Sequence, residues 1–203
     1  YPFLGKTNIE LLVERLKKTM PLKIFLITNE NFNQKLPGID QLIQKDTGMA
    51  GAVKTALEVV DQNQEILILN ANDYYENTLV KKFMVARSRL FDAGHAMIVG
   101  YKTKNYFPGG YLQIKNKLIT SIIEKPVEEN TPSDYVNIVF HYFPKAQKLS
   151  KFLSEAKSDK DDLYEVGLSN MMKSGIEFEM MEYSGKWTTT KYPWHTLDVM
   201  DYF

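Results

Sequence analysis

The chain has 203 residues, 44% of them hydrophobic, and its 25 basic residues balance 25 acidic ones. This length and composition predict one folded domain over residues 1–203 with a sizeable core, and they argue against disorder. Zero net charge gives no support to nucleic-acid or membrane-surface binding, and the lack of cysteine excludes thiol catalysis, disulfides and zinc–thiolate sites.

Two further features bear on the setting of the chain. No apolar run reaches the ~18 residues of a membrane span, and the start lacks a signal-peptide pattern, so we expect a cytoplasmic protein. The sequence begins with Tyr1-Pro2 rather than Met. We therefore expect that a natural N-terminal segment precedes it. Homo-oligomer formation stays open.

Helices and strands alternate through the first half of the chain. A capping-box pattern at Thr7 and Glu10 starts a helix that ends near Pro21, and a continuous apolar run at 23–28 predicts a buried strand. Residues 29–47 are interpreted as mostly loop. Further segments are predicted as a helix from 48 to about 60, a strand at 66–69, a helix from about 78 to 93 that stops at Gly94, and a strand at 96–101. This alternation favours a mostly parallel sheet with crossover helices.

The second half has a different character. Segments 110–114 and 118–123 predict a hairpin that ends at Glu124-Lys125-Pro126. A strand at 135–143 follows, then a helix from Pro144 to about residue 156 and a second helix from Asp162 to Gly175. Alternating apolar residues at 176, 178 and 180 predict another strand, and residues 193–203 are typical of a helix.

The strand at 66–69 leads directly into a polar turn that holds Asn70, Asn72 and Asp73. In open α/β sheets, ligands bind at the carboxyl ends of strands. A carboxylate at such a point can hold a metal ion against a phosphate. Asp73 could instead only cap the turn before the next helix.

Six segments, taken in order, resemble the sugar-1-phosphate nucleotidylyltransferases. Leu4 to Glu10 is similar to "GKP-x-IE", Gly48 to Ala52 to "GTAGA", and Asn70 to Asp73 to "NADD". The others are Glu124-Lys125-Pro126 ("EKP"), Tyr135 to Ile138 ("VNIG") and Trp187 to Tyr202 ("W-x-D-V-G-x-PWDLL"). The resemblance implies a Rossmann-like three-layer α/β/α fold with a mostly parallel mixed sheet. The implied reaction joins a nucleoside triphosphate to a sugar-1-phosphate, with a nucleotide-sugar and pyrophosphate as products.

The resemblance also implies roles for individual residues, with Mg²⁺ as cofactor. The predicted sets are catalytic Lys125 and Asp73, nucleotide-binding Gln44, Gly48 and Gly51, and sugar-binding Gly110, Glu124 and Asn137. Asp73 is also the predicted metal ligand. Without the resemblance, Gly48 and Gly51 could be only a loop-to-helix turn, and Glu124-Lys125 a solvated strand end.

The sequence departs from the family pattern at the metal. Asn72 stands where the first metal aspartate is expected, and Thr189 stands where the second is expected. An amide or a hydroxyl is a much poorer Mg²⁺ ligand than a carboxylate. The family's first-strand glycine-rich loop is not in the sequence. Asp198 and Asp201 are alternative carboxylates.

Three functions follow from these observations. The sequence favours a nucleotidylyltransferase. The substitutions at 72 and 189 leave open a catalytically degenerate homologue that binds a nucleotide-sugar or acts as a regulatory subunit. A glycosyltransferase of related architecture is the third, and the mismatch of Asn70-x-Asn72 with an Asp-x-Asp motif disfavours it.

Overall fold

The computed structural model describes residues 2–3, 5–20, 23–190 and 199. The helices are α1 (Asn8–Thr19), α2 (Gly48–Leu57), α3 (Asn77–Ala93), α4 (Ala146–Glu155) and α5 (Leu163–Lys173), with a 3-10 turn at Glu128–Asn130. The strands are β1 (Pro2–Phe3), β2 (Lys6–Thr7), β3 (Phe25–Thr28), β4 (Asp40–Ile43), β5 (Ile66–Leu69), β6 (Asp73–Tyr75), β7 (Ala96–Lys102), β8 (Gly110–Lys115), β9 (Leu118–Glu124), β10 (Tyr135–Phe143), β11 (Phe178–Tyr183) and β12 (Trp187–Thr189). Within the described ranges, every helix is too short or too polar to cross a membrane.

The predicted helix ends at Thr7 and Gly94 are confirmed. The backbone N–H of Thr7 donates to the Glu10 carboxylate at 2.6 Å, which completes the capping box at the start of α1. Gly94 follows α3 in the left-handed conformation, with φ of +70°, and its N–H donates to the carbonyls of Leu90 and Phe91. Glycine adopts this conformation without steric cost.

The main sheet has six strands in the order β5-β10-β7-β11-β9-β8. Its two faces are covered by different helices, as the alternation of side chains along β7 shows. Ala96 and Ile98 lie in one apolar cluster with α2, α4 and α5, and Met97 and Val99 lie in a second cluster with α1 and α3. The predicted three-layer α/β/α arrangement with a mixed sheet is confirmed.

Parallel pairing is less frequent than the sequence predicts. Strand β10 lies between β5 and β7 and is antiparallel to both, and among the described strands of this sheet β7 and β11 form the parallel pair. Strand β3 pairs in parallel with β4 outside the six-stranded sheet. Apolar periodicity reports burial but not the direction or the neighbour of a strand, so the pairing partners needed the tertiary structure.

Five short strands were not predicted, namely β1, β2, β4, β6 and β12. Strand β4 falls inside the segment interpreted as loop, and β6 pairs in antiparallel fashion with β12. Two to four residues are too few for a period-2 pattern to stand out from a polar turn. The helix predicted at 193–203 lies outside the described residues, apart from Val199, which is buried.

Strand β10 contains a bulge that matters for the site. Ile138 pairs with Val99 of β7, but the next pair joins His141 to Ile98, so β10 has two extra residues at this point. Asn137 and His141 consequently lie opposite Gly100 and Ile98, which are only two positions apart on β7. Residues two positions apart are neighbours on one face of a strand, so the bulge brings Asn137 and His141 to neighbouring positions.

Candidate functional site

Gly110, Glu124 and Asn137, the three predicted sugar-binding residues, come together at the meeting point of β8, β9 and β10. Gly110 and Glu124 are directly opposite in the hairpin. A methyl group placed on Gly110 would lie 3.0 Å from Ile122 Cγ2, 3.1 Å from Glu124 Oε2 and 3.6 Å from Asn137 Cβ. The lack of a side chain at Gly110 therefore leaves a space beside the Glu124 carboxylate, with Ile122 and the Cβ of Asn137 as its other neighbours.

Lys125 lies at the end of β9, beside this space. Its backbone is in the left-handed region with φ of 44°, which is uncommon for a side chain other than Asn, Asp or Gly. Its N–H donates to the Gly109 carbonyl at 3.1 Å, and its Nζ lies 3.4 Å from Glu124 Oε1. The Lys125 side chain is 50% exposed, so its ammonium group can reach a bound anion.

A pocket of about 270 Å³ lies between β9 and α5 and reaches Glu124. Glu165, on α5, also lines it. Burial, together with the smaller effect of the nearby carboxylates of Glu124, Asp162 and Asp161, raises the pKa of Glu165 to about 7. Glu124 and Glu165 line the same pocket. Its other polar lining residues include Ser121, Ser169, Asn170 and Lys173.

The predicted nucleotide side surrounds the start of α2. Gly48 is exposed, with φ of +77°, and a methyl group placed there would lie 3.2 Å from Asp161 Oδ1. The start of α5 therefore lies beside the glycine turn as well as beside the pocket at Glu124. Gln44 directly follows β4, and its backbone N–H donates to the Thr28 carbonyl at 2.8 Å.

Gly51 has a structural explanation of its own. A methyl group at this position would lie 2.1 Å from the carbonyl oxygen of Asp46, closer than any real contact. Close packing of the preceding loop on α2 therefore demands glycine here. The nucleotide-binding role of Gly51 stays a prediction.

Asp73 begins β6, directly opposite Thr189 of β12. The Asp73 side chain is buried, and the amide of Asn70 donates to its Oδ1 at 3.4 Å. Burial raises the pKa of Asp73 to about 7, while interactions with Thr189, Trp187 and Asn70 lower it in part. Trp187 Nε1 is buried and makes no hydrogen bond of normal geometry to any described residue.

The turn before β6 is fixed by backbone contacts. The Asn72 side chain is exposed, and the backbone carbonyl of Asn72 accepts a hydrogen bond from the backbone N–H of Thr190 at 2.9 Å. Asn8 Nδ2 donates to the Ala71 carbonyl at 2.6 Å. Asn70 N–H donates to the Val139 carbonyl in the bulge of β10 at 3.0 Å. The turn is thereby held against the strand that carries Asn137.

Aromatic side chains connect the Asp73 turn to the space at Gly110. The Trp187 ring lies 5.1 Å from that of Tyr101 and 5.2 Å from that of Phe107, measured between centroids. The backbone N–H of Phe107 donates to the Tyr111 hydroxyl, one residue beyond Gly110. These contacts connect β12, which pairs with the strand of Asp73, to the start of β8.

The described residues do not fit a Mg²⁺ ion. Mg²⁺ needs ionised carboxylates in near-octahedral geometry. The Asp73 carboxylate is buried, and its direct neighbours are the Asn70 amide and Thr189. In the described part of the chain, no three His, Asp or Glu residues are grouped so that they could hold a metal ion. Asp198 and Asp201, the alternatives in the sequence, lie outside the described residues.

Three residues near the site were not predicted to act there: His141, Tyr164 and Glu165. His141 gave no ligand spacing, and Tyr164 and Glu165 were only part of a helix start. Side chains alternate between the two faces of β10, so the sequence alone could have placed His141 on the same face as Asn137. Only the bulge of β10 and the packing of α5 bring the side chains into contact.

The fold and the cleft at the strand ends define an α/β protein of the nucleotide-diphospho-sugar transferase type. The sequence matches the model of the nucleotidyl transferase family over residues 2–190. This chain belongs to that family. No curated protein matches the sequence.

Solved structures with the same fold include two kinds of sugar-phosphate nucleotidyltransferase. A UDP-glucose pyrophosphorylase complexed with UDP-glucose has a TM-score of 0.82 and 15% identity, and the alignment covers 100% of this chain and 88% of that one. A UTP-bound enzyme of the same kind from Acinetobacter baumannii has a TM-score of 0.73 and 14% identity, with 98% and 83% coverage. A Bacillus anthracis protein described as a candidate glucose-1-phosphate thymidylyltransferase, in complex with a sucrose, has a TM-score of 0.76 and 18% identity, with 100% and 84% coverage.

Proposed function

We propose that this chain binds a nucleotide-sugar, or the sugar-1-phosphate from which one is made, and that its sugar site is the space at Gly110. The observation that carries the proposal is the convergence of Gly110, Glu124 and Asn137. The family membership and the ligands of the similar structures support the same ligand class.

The chemistry of the space matches a sugar ring. A carboxylate accepts hydrogen bonds only, and the amino group of a carboxamide donates only. A hydroxyl can donate to Glu124 and accept from Asn137 at once. Lys125 then neutralises the anomeric phosphate from the end of β9, and Gly48 allows close approach of a nucleobase.

Calorimetric titration tests the ligand class directly. The probes are nucleotide-sugars of uracil, thymine, cytosine, adenine and guanine, with the corresponding free nucleotides as comparators. We expect binding of at least one nucleotide-sugar in EDTA, and E124Q and N137A should weaken it. E129Q, which changes an exposed carboxylate of the 3-10 turn, is the matched control. Absence of binding by every nucleotide-sugar would refute the proposal.

The second candidate is turnover, in which the sugar-phosphate oxygen attacks the α-phosphorus of a nucleoside triphosphate and pyrophosphate leaves. Lys125 favours it, because a residue held in an uncommon backbone conformation beside a site is typical of functional positions. Both reactants are anions, so the chain would act by positioning and by charge neutralisation.

Pyrophosphate release separates the two candidates. Wild-type protein and N72D are incubated with nucleoside triphosphates and sugar-1-phosphates, with and without Mg²⁺. Metal-independent binding without release favours a binding or regulatory role. Release by the wild type favours the enzyme. Release by N72D alone would show that position 72 accounts for the lost metal site.

A further inference from the structure

Asn137 is held by a buried chain of hydrogen bonds that runs to α5. Its Oδ1 lies 2.7 Å from Nε2 of His141, and Nδ1 of His141 lies 2.9 Å from the hydroxyl of Tyr164. The His141 and Tyr164 rings are stacked, with an interplanar angle of 4°. His141 is completely buried, and Tyr164 is 1% exposed.

The bulge in β10 makes this contact geometrically possible. Residues four apart along a regular strand are separated by about 13 Å, too far for the side chains of Asn137 and His141 to meet. The two extra residues of the bulge bring them to neighbouring positions on one face. The irregularity in β10 and the hydrogen-bond chain are therefore parts of one arrangement.

Burial determines where the protons of this chain lie. Burial lowers the pKa of His141 to about 3, so its ring is neutral and has a single N–H. Within the described residues, His141 is the one hydrogen-bond partner of the Tyr164 hydroxyl. If the ring donated from Nδ1, the phenol proton would be buried without an acceptor, which is costly. The Tyr164 hydroxyl therefore donates to Nδ1, and Nε2–H donates to Asn137 Oδ1.

We propose that His141 and Tyr164 are positioning residues that fix the Asn137 carboxamide with its amino group toward the space beside Gly110. The order of donors and acceptors leaves Asn137 Oδ1 engaged and its amino group available. The Asn137 amino group then donates to a ligand oxygen that can accept a hydrogen bond, such as a sugar hydroxyl, opposite the Glu124 carboxylate. The proposal rests on the proposed function for its ligand, but not for the orientation itself.

Long-range proton–nitrogen correlation spectra of histidine rings test the orientation without a ligand. The chain has three histidines, so H95Q and H195Q assign the His141 signals by elimination. We expect a neutral ring with the proton on Nε2 in the wild type. Y164F should give a mixture of the two neutral tautomers, because Nδ1 loses its donor. A proton on Nδ1 in the wild type, or an unchanged ring in Y164F, would overturn the proposal.

Y142F is the matched control for Y164F. Tyr142 is 1% exposed, follows His141 directly, and donates its hydroxyl to Glu65 on the other face of the sheet. Both variants lose one buried hydroxyl, so a general loss of stability would affect them alike. Only Y164F should change the His141 ring.

Binding measurements connect the orientation to the ligand. Y164F should weaken nucleotide-sugar affinity about 2- to 10-fold, the range for one hydrogen bond, and leave free-nucleotide affinity unchanged. If Y164F weakened the binding of nucleotide-sugar and free nucleotide equally, a role at the sugar would be contradicted. An equal loss of nucleotide-sugar affinity in Y142F and Y164F would contradict it as well. If N137A does not change nucleotide-sugar binding, the proposed sugar contact fails, while the ring spectra still decide the orientation.

Discussion

Replacement of Asp73 by asparagine should stabilise the protein, and the gain should grow with pH. Asp73 is buried, and its pKa is raised from 3.8 to about 7 in the folded state. The folded chain therefore keeps a proton that the unfolded chain releases between pH 4 and pH 7. Since the folded state binds more protons there, stability is lost as the pH rises through this window.

The size of the effect follows from the two pKa values. They differ by about 3, and each unit corresponds to 1.36 kcal/mol, so the full penalty at pH 8 is about 4 kcal/mol. Asparagine has nearly the same shape and cannot ionise. The difference in unfolding free energy between D73N and the wild type should thus rise from under about 1 kcal/mol at pH 4 to about 4 kcal/mol at pH 8.

Urea denaturation at five pH values from 4 to 8 measures this difference. D159N is the control, because it replaces an exposed aspartate by asparagine in the same way. A D73N difference that is constant with pH would refute the interpretation of Asp73 as a buried neutral acid. Stabilisation of the wild type but not of D73N by Mg²⁺ at pH 8 would instead identify Asp73 as a metal ligand.

Three other substitutions test the packing and the site. G110A should reduce nucleotide-sugar binding, because the added methyl group would lie 3.1 Å from Glu124 Oε2 and 3.0 Å from Ile122 Cγ2. Equal binding by G110A and wild type would place the sugar elsewhere. G51A should lower the unfolding free energy by about 1–3 kcal/mol, because its methyl group overlaps the Asp46 carbonyl, and an unchanged melting temperature would show that the loop moves freely. R87A should lower the unfolding free energy by about 1.5–3 kcal/mol at pH 7, since the Arg87 guanidinium donates hydrogen bonds to the half-buried Glu65 carboxylate. Arg87 lowers the pKa of Glu65, so the cost should shrink as Glu65 protonates in acid, and a cost independent of pH would point to packing alone.

The residues that the sequence predicts to bind sugar lie together in the structure, while their sugar-binding role stays a prediction. Gly110, Glu124 and Asn137 stand on three separate strands, and the structure brings all three together. At Asp73 the sequence shows a carboxylate after a strand, but not its burial. Burial depends on the pairing of β6 with β12, which lie more than 100 residues apart along the chain. The local sequence around Asp73 does not reveal that β6 pairs with so distant a strand.

The sequence by itself determined the family and the helices of the described residues, because caps, glycine stops, apolar periodicity and motif order are local features. The tertiary structure decided which strands are neighbours, which carboxylates are buried, and which side chain orients Asn137. The physical reason is that a pKa or a hydrogen bond depends on neighbours in space. Asp73 has a raised pKa because the fold buries its carboxylate, an effect that Thr189, Trp187 and Asn70 offset only in part, and Asn137 is oriented because a bulge brings His141 beside it.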